Sequence, residues 1–511
     1  MPNKKVLVKS GIWQLLNVFV IVASQFIFYA VMARYVNKAA FGLFAIANAF
    51  LNFVTSISEA GMGDALLQRR VVEPQHKNAA LFFSLIIALV MYILFYFASP
   101  YIAEYYKEPS LTLILRVVGL LFFFLSFGSS SMNLLQKEFK FKEIFICDGM
   151  SMLASNVLGV ILGIYGYGVW AMIWSLVFYF FSKSIIVWFY EPLPIKIGST
   201  LKHWKDLFNY GMGLTLVRIN NYLNNFGITL FIGKLVPINI LGVFDRAYRT
   251  TSLPVRYLGD MVQKLMVPSM VKIGDDDNVL FRFFYKGLSF SNSMLLPISF
   301  FSIVFSKPIV FILLGHHWGE AIIPMQILLL SLPFRVSTKV ADALMRVRNL
   351  IYKNANRKFQ YLIALAIGIW IGHYWGLPGI CWGVSLASLQ NYLSMILTIR
   401  NRVFKKQWQK LIINPFGNGL VLTLCIVPPA YLIYYILMYF VHDEVIAFTV
   451  LCVVLGIFFS YAFFKKPKLL GKDFAPIREQ LMSMMKKKKK GKNKFSKEGI
   501  EVENEIIEYG E

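Results

Sequence analysis

The chain has 511 residues, of which 57% are hydrophobic, 16% aromatic and only 15% charged, with a formal net charge of +25. A soluble domain carries roughly a quarter charged residues, and a mean hydropathy of +0.59 over this length excludes a single water-soluble globule. The composition instead demands many apolar runs, each crossing about 30 Å of hydrocarbon with about 20 residues, and the excess Lys and Arg lies between and after those runs, where it reads as membrane orientation and not as a nucleic-acid surface.

In chain order, Lys4, Lys5 and Lys9 precede a first apolar run at 11–33. That run is too long for a signal h-region, and no small-residue cleavage site stands out, so it reads as an uncleaved first span. Further runs fall at 39–63, 78–99, 110–135, 143–164, 168–190, 207–233, 238–262, 283–314, 320–344, 356–374, 378–399, 413–440 and 444–464. At such lengths only helices satisfy the backbone in lipid, because strands would be about ten residues of alternating polarity. The sequence thus predicts an all-α membrane protein with 14 transmembrane helices. The ninth run holds Pro297 and Lys307-Pro308, which predict a kink or an early end. Cys147, Cys381, Cys425 and Cys452 all lie in apolar runs and read as small packing residues, not as a disulfide frame or metal site.

With the N-terminus in the cytoplasm, the cytoplasm-facing segments carry 27 Lys and Arg, Lys183 and Lys286 included, against four on outward connections (Arg34, Lys38, Lys107 and Lys234). A miscounted helix would put basic loops on alternating sides, so the bias supports both the count and cytoplasmic placement of both termini. Outward connections are short, which disfavours an outer enzyme, receptor or adhesin. The tail at 467–511 runs from Lys486–Lys490 into an acidic stretch ending at Glu511. It reads as a disordered, solvated end or as a segment drawn to anionic lipid heads.

A repeat is visible at an offset of 200 residues. The second span opens Phe41-Gly42-Leu43-Phe44-Ala45-Ile46-Ala47 and the eighth Leu241-Gly242-Val243-Phe244-Asp245-Arg246-Ala247, while Phe26 matches Phe226 and Arg34 matches Lys234. Six helices separate the copies, an even number, so both halves start on the same side. Such a parallel repeat relates two lobes about an axis along the membrane normal, with a site between them. The predicted organisation is an N-lobe at 1–200, a C-lobe at 201–410, two extra C-terminal helices at 411–466, and the tail.

A twelve-helix core of two six-helix lobes plus two helices resembles the multidrug/oligosaccharidyl-lipid/polysaccharide exporter superfamily. Within it the chain is similar to polysaccharide flippases of the Wzx type. The stretches that carry the resemblance are Ser58-Glu59-Ala60-Gly61-Met62-Gly63-Asp64-Ala65-Leu66-Leu67-Gln68, Phe231-Ile232-Gly233-Lys234 with Leu241-Gly242-Val243-Phe244, Leu253 to Met270 with its closing Val267-Pro268, and Gly315-His316-His317-Trp318. The resemblance implies a bacterial cytoplasmic membrane, an undecaprenyl-pyrophosphate type of lipid-linked oligosaccharide as cargo, alternating access, and work beside a polysaccharide polymerase machinery in surface polysaccharide (lipopolysaccharide, O-antigen) biosynthesis.

Ionisable groups in apolar spans usually face a cavity or a partner. The seventh span carries Arg218, Asn221 and Asn225 on one helical face, with Arg218 ~16 Å from the span's start at 1.5 Å per residue, near the midplane. They read as a cavity wall or as a clasp to neighbouring amides. The eighth carries Asp245, Arg246, Arg249, Arg256 and Asp260, either two intrahelical ion pairs or a cationic cavity wall, since three Arg outnumber two Asp. Arg335 and Lys339 in the tenth span sit at a cavity mouth or anchor in the inner leaflet. Glu59 is a candidate coupling carboxylate for a H+ or Na+ gradient, or a solvated carboxylate. Asp148 and Arg116 are lone charges, and Asp275-Asp276-Asp277 reads as a solvated acidic run. No metal-ligand spacing and no cofactor motif occurs. There is no GxxxxGK[ST] loop, so ATP hydrolysed by this chain is not the energy source, and no Ser/His/Asp constellation assembles an enzyme.

Guanidinium forks bind phosphate oxygens in bidentate geometry, and Asn amides suit sugar hydroxyls. The expected function is export of a lipid-pyrophosphate-linked oligosaccharide. The alternatives are a cation-coupled multidrug antiporter, whose cavity would more naturally carry Asp or Glu, a flippase of peptidoglycan precursor, and a polymerase or ligase, which would need a large outward loop.

Overall fold

The computed structural model describes residues 4–58, 73–193, 227–274, 276–402 and 414–465, and among these every regular element is helical. In chain order the helices are α1 (Lys4–Tyr35), α2 (Lys38–Ser58), α3 (Pro74–Tyr106), α4 (Ser110–Gly119), α5 (Leu121–Lys137), α6 (Phe141–Ile164), α7 (Val169–Tyr190), α8 (227–235), α9 (Ile238–Ile273), α10 (Asp277–Val304), α11 (Ser306–Leu313), α12 (Ile322–Leu330), α13 (Leu332–Val347), α14 (Ile351–Gly372), α15 (Gly376–Arg402), α16 (Asn414–Val441) and α17 (Glu444–Lys465). Ten segments among the described residues are long and apolar enough to cross a membrane.

Local chemistry sets the breaks. The αL residue Lys107 ends α3, with φ 57°, and Gly166 and Gly168, at φ 82° and 55°, turn the chain from α6 to α7. The side chain of Asp276 caps α10 by accepting from the backbone N–H groups of Asn278 and Val279, each at 3.0 Å. Its neighbour Asp277 pairs with Arg348. Two of the three acids read as a solvated run therefore have structural partners. The predicted fourth and tenth spans each contain one irregular turn, at Leu120 between α4 and α5 and at Ser331 between α12 and α13, where the backbone stays helical in φ and ψ. The ninth ends early as expected, with Phe305 separating α10 from α11.

The chain forms two compact units. One comprises 1–254, 309–331 and 352–391, the other 255–308, 332–351 and 392–511. In the first, α1 packs on α6 and α6 on α7 through small residues, so backbones approach closely and hydroxyls or amides bridge the helices. A Cβ at Gly159 would lie 2.7 Å from that of Ser175, Ser175 donates to the Ser155 carbonyl at 2.8 Å, and Asn156 donates to Ser24 Oγ at 2.7 Å. In the second, α10 packs on α13 and α16, and Phe284 and Leu288 of α10 share a buried cluster with Val340 and Leu344 of α13 and Tyr392 and Ile396 of α15, with Lys307 Nζ 2.5 Å from Glu444.

Candidate functional site

The polar centre of the first unit sits where α9 meets α1 and α2. Close approach of α2 and α9 is permitted by two glycines at equivalent positions: a Cβ on Gly42 would fall on the carbonyl oxygen of Ile238, and one on Gly242 would fall on that of Lys38. One turn further along α9, Asp245 is 2% exposed. Its carboxylate accepts from Nε of Arg249 at 2.8 Å to both oxygens and also from Arg246. One carboxylate thus serves two guanidinium groups, and the cluster carries a net charge of +1.

The two arginines differ in what surrounds them. Arg246 is 3% exposed and lies between aromatic faces, with its guanidinium carbon 4.6 Å from the ring centre of Tyr29 on α1 and 4.7 Å from that of Phe41 on α2. Arg249 leaves 32% of its side chain uncovered. Arg256 lies further along the same helix, in the second unit, exposed and 5.9 Å from the ring of Tyr257. In that unit Arg335 and Lys339 are half-buried on α13, where Gln263 donates to the Lys339 carbonyl at 3.1 Å and a Cβ on Gly259 would lie 3.1 Å from the Lys339 stem. Arg218, Asn221, Asn225 and Glu59 lie outside the described residues.

The same face of the first unit is tied by further contacts. The fully buried Trp318 donates from Nε1 to the Ala33 carbonyl at 2.9 Å and meets Phe41 edge-on, ring centres 5.2 Å apart. Lys38 pairs with Glu320 at 2.9 Å, and Lys234 donates to the Tyr105 carbonyl at 2.6 Å. The Gly-His-His-Trp stretch is therefore an anchor for the end of α1. Trp318→Phe keeps most of the apolar contact but orphans the Ala33 carbonyl, so a loss of about 1–3 kcal/mol is expected. Trp318→Ala also opens a cavity and should lose about 3–5 kcal/mol. Thermal unfolding of the purified chain in detergent would check this order.

Sequence reasoning missed a second buried cluster in the same unit. Asp148 on α6 lies 2.7 Å from Lys183 Nζ on α7 and accepts from Asn17 Nδ2 on α1 at 2.8 Å. The signal was two ionisable residues in separate spans with no local partner, one of which reads instead as part of a cytoplasmic flank. Arg116, the other lone charge, lies 4.1 Å from the Tyr96 ring centre and donates to Ser99 Oγ at 3.3 Å. Among the described residues no group of three or more His, Cys, Asp or Glu could hold a metal ion.

Ten apolar segments among the described residues, each long enough to cross a membrane, define a polytopic α-helical membrane protein. Its fold is similar to that of the solved lipid II flippase MurJ in an inward closed conformation, with a TM-score of 0.65 at 15% identity, covering 89% of this chain and 99% of that one. It is also similar to an inward-facing multidrug resistance MATE transporter of the MOP superfamily, with a TM-score of 0.61 at 14% identity over 75% and 95% of the two chains. The chain belongs to the family described as polysaccharide biosynthesis protein, which matches residues 31–323. Relatives include the lipopolysaccharide biosynthesis protein WzxC of Escherichia coli K12, 23% identical over 79% of this chain and 82% of the relative. The succinoglycan biosynthesis transport protein ExoT of Rhizobium meliloti is 22% identical over 62% and 65%, and the teichuronic acid biosynthesis protein TuaB of Bacillus subtilis 21% over 67% and 71%.

Proposed function

We propose that this chain is a flippase that carries a lipid-pyrophosphate-linked oligosaccharide from the inner to the outer leaflet of the bacterial cytoplasmic membrane, by alternating access, for surface polysaccharide synthesis. The observation that carries the reading is the Asp245–Arg246–Arg249 cluster, a net cationic site inside a helical bundle with one guanidinium partly uncovered. A polar group of that cost is kept in a membrane span for function, and an uncovered guanidinium suits a phosphorylated head group. Arg218, Asn221 and Asn225 are proposed as further cargo-binding residues and Glu59 as the coupling carboxylate, while Arg256, Arg335 and Lys339, in the second unit, are proposed as cationic contacts of that unit's own.

Fourteen spans fit the chain. The apolar segment at 352–400 is 49 residues long, about 74 Å if it were one helix, and a φ of 68° at Gly376 turns it into the two spans α14 and α15. The charged α9, the shorter apolar α17 and the run at 207–233 supply three more. The parallel repeat gains support from Gly42 and Gly242: each faces the backbone of the other's helix at residues 238 and 38, and both pairs keep the offset of 200. In this topology both termini are cytoplasmic, and Trp318, Lys38 and Gly42 lie at the outer ends of the first unit's helices.

Arg249→Ala tests the reading. It leaves Asp245 and Arg246 as a neutral pair, so the fold should survive while the uncovered charge is lost. Removing a charge-assisted hydrogen bond of about 1.5–3 kcal/mol predicts a drop in surface glycan of about 10- to 100-fold, with Arg249→Lys intermediate because it keeps charge without the fork. Surface glycan would be measured in cells that depend on this chain for export, beside its level in the membrane. Unchanged glycan in Arg249→Ala overturns the site. Uptake of cationic dyes by the unmodified chain would favour the multidrug reading, and rescue of a strain lacking its peptidoglycan-precursor flippase would favour that cargo.

A further inference from the structure

We propose that Arg246 is a positioning residue that sets the charge available to cargo without touching it, so that the anion-binding power of Arg249 depends on a buried guanidinium held by Tyr29 and Phe41. The inference rests on the export reading above and adds to it the role of a second arginine.

Arg249 donates to both oxygens of Asp245 at 2.8 Å. Alone, that pair would be neutral, and a phosphate approaching Arg249 would also meet the carboxylate at close range. Arg246 donates to the same carboxylate. Its charge offsets that of Asp245 and leaves one positive charge in excess, while only Arg249, 32% uncovered, is placed to present it. Arg246 is 3% exposed and cannot itself meet a head group without leaving its seat.

Keeping a second guanidinium there requires compensation, because a buried charge is costly unless partnered. Its Nε has no hydrogen-bond acceptor among the described residues, so the rings of Tyr29 and Phe41, 4.6 and 4.7 Å from the guanidinium carbon, supply the rest through their negative faces. These rings come from α1 and α2, whereas the three charged residues come from α9. The strength of the anion site is thereby linked to the seating of α1 and α2 against α9, the same seating that Gly42 and Gly242 make possible. It follows that Tyr29 and Phe41, which carry no charge, act on anion binding through Arg246.

The test uses the purified full chain in detergent with inorganic pyrophosphate as probe, and reads binding by calorimetry alongside thermal unfolding without the probe. Arg246→Met leaves the neutral Asp245–Arg249 pair, so unfolding should shift little while pyrophosphate affinity falls about as far as in Arg249→Ala, on the order of tenfold or more. Arg246→Lys restores the charge and should recover most of the affinity, which a merely structural role would not predict. Phe41→Leu should fall between. If Arg246→Met binds pyrophosphate like the unmodified chain while Arg249→Ala does not, the positioning role is overturned and the export reading stands. If neither substitution changes binding, the inference and the site beneath it both fall.

Discussion

Asp148→Ala is expected to be among the most damaging single substitutions in the chain, and Asp148→Asn combined with Lys183→Met is expected to undo most of the damage. Asp148 is 7% exposed, with Lys183 at 2.7 Å and Asn17 donating at 2.8 Å, so three helices share one carboxylate. Removing it leaves the Lys183 ammonium without its carboxylate, with the Tyr179 ring 5.6 Å away as a remaining neighbour. Breaking a buried ion pair from one side costs about 3–5 kcal/mol, whereas replacing both partners with neutral groups of similar volume is often close to neutral. The penalty is the cost of the stranded charge, not the strength of the bond. Thermal unfolding of the single and double variants, with the yield in the membrane fraction, would check this. Equal destabilisation by the single and double substitutions would show that packing around the pair, and not its charge balance, holds α1, α6 and α7 together.

That pair also marks where sequence reading reaches its limit. Hydropathy located the spans well because each is a local property: α3, α6, α7 and α16 fall within a few residues of the predicted runs, apart from the ends that project beyond the apolar core. The pairing of Asp148 with Lys183 is not local. They stand 35 residues apart in separate spans, and a lysine near a span's end is credited to the nearest loop. The irregular turn at Leu120 was only faintly marked, by Gly119 in an otherwise apolar stretch. Trp318 was noticed as part of a motif, but its bond to the Ala33 carbonyl joins residues 285 positions apart.

The cationic site was half legible. The spacing of Asp245 and Arg249 predicts an intrahelical pair, and that pair is present. What the spacing could not show is that Arg246 bends back to the same carboxylate, because neighbours in a helix normally point apart. It does so because Tyr29 and Phe41 wall in its other faces. A reading that counts three arginines against two aspartates treats the three as equivalent. In the structure Arg246 is enclosed, Arg249 partly uncovered and Arg256 exposed.

The same counting makes Asp245→Asn the second substitution with a large expected effect. It keeps the shape of the side chain and removes the one anion between two guanidinium groups. Arg249 can turn its uncovered part toward water or head groups. Arg246, 3% exposed, cannot, and it would be left with two aromatic rings and an amide oxygen. The stranded charge should cost about 3–5 kcal/mol, seen as a lowered unfolding temperature and reduced membrane yield. Adding Arg246→Met removes that charge, returns the cluster to +1 and leaves Arg249 as its carrier, so both fold and glycan export should recover. Adding Arg249→Met instead also returns the charge to +1, but the remaining guanidinium is the enclosed one, so export should stay low. The two double variants carry the same net charge and differ only in which arginine is left. If both restore export equally, position is irrelevant and the site is a diffuse field. If Asp245→Asn alone is as stable as the unmodified chain, the carboxylate does not hold the cluster, and neither the cargo role of Arg249 nor the supporting role of Arg246 can be built on it.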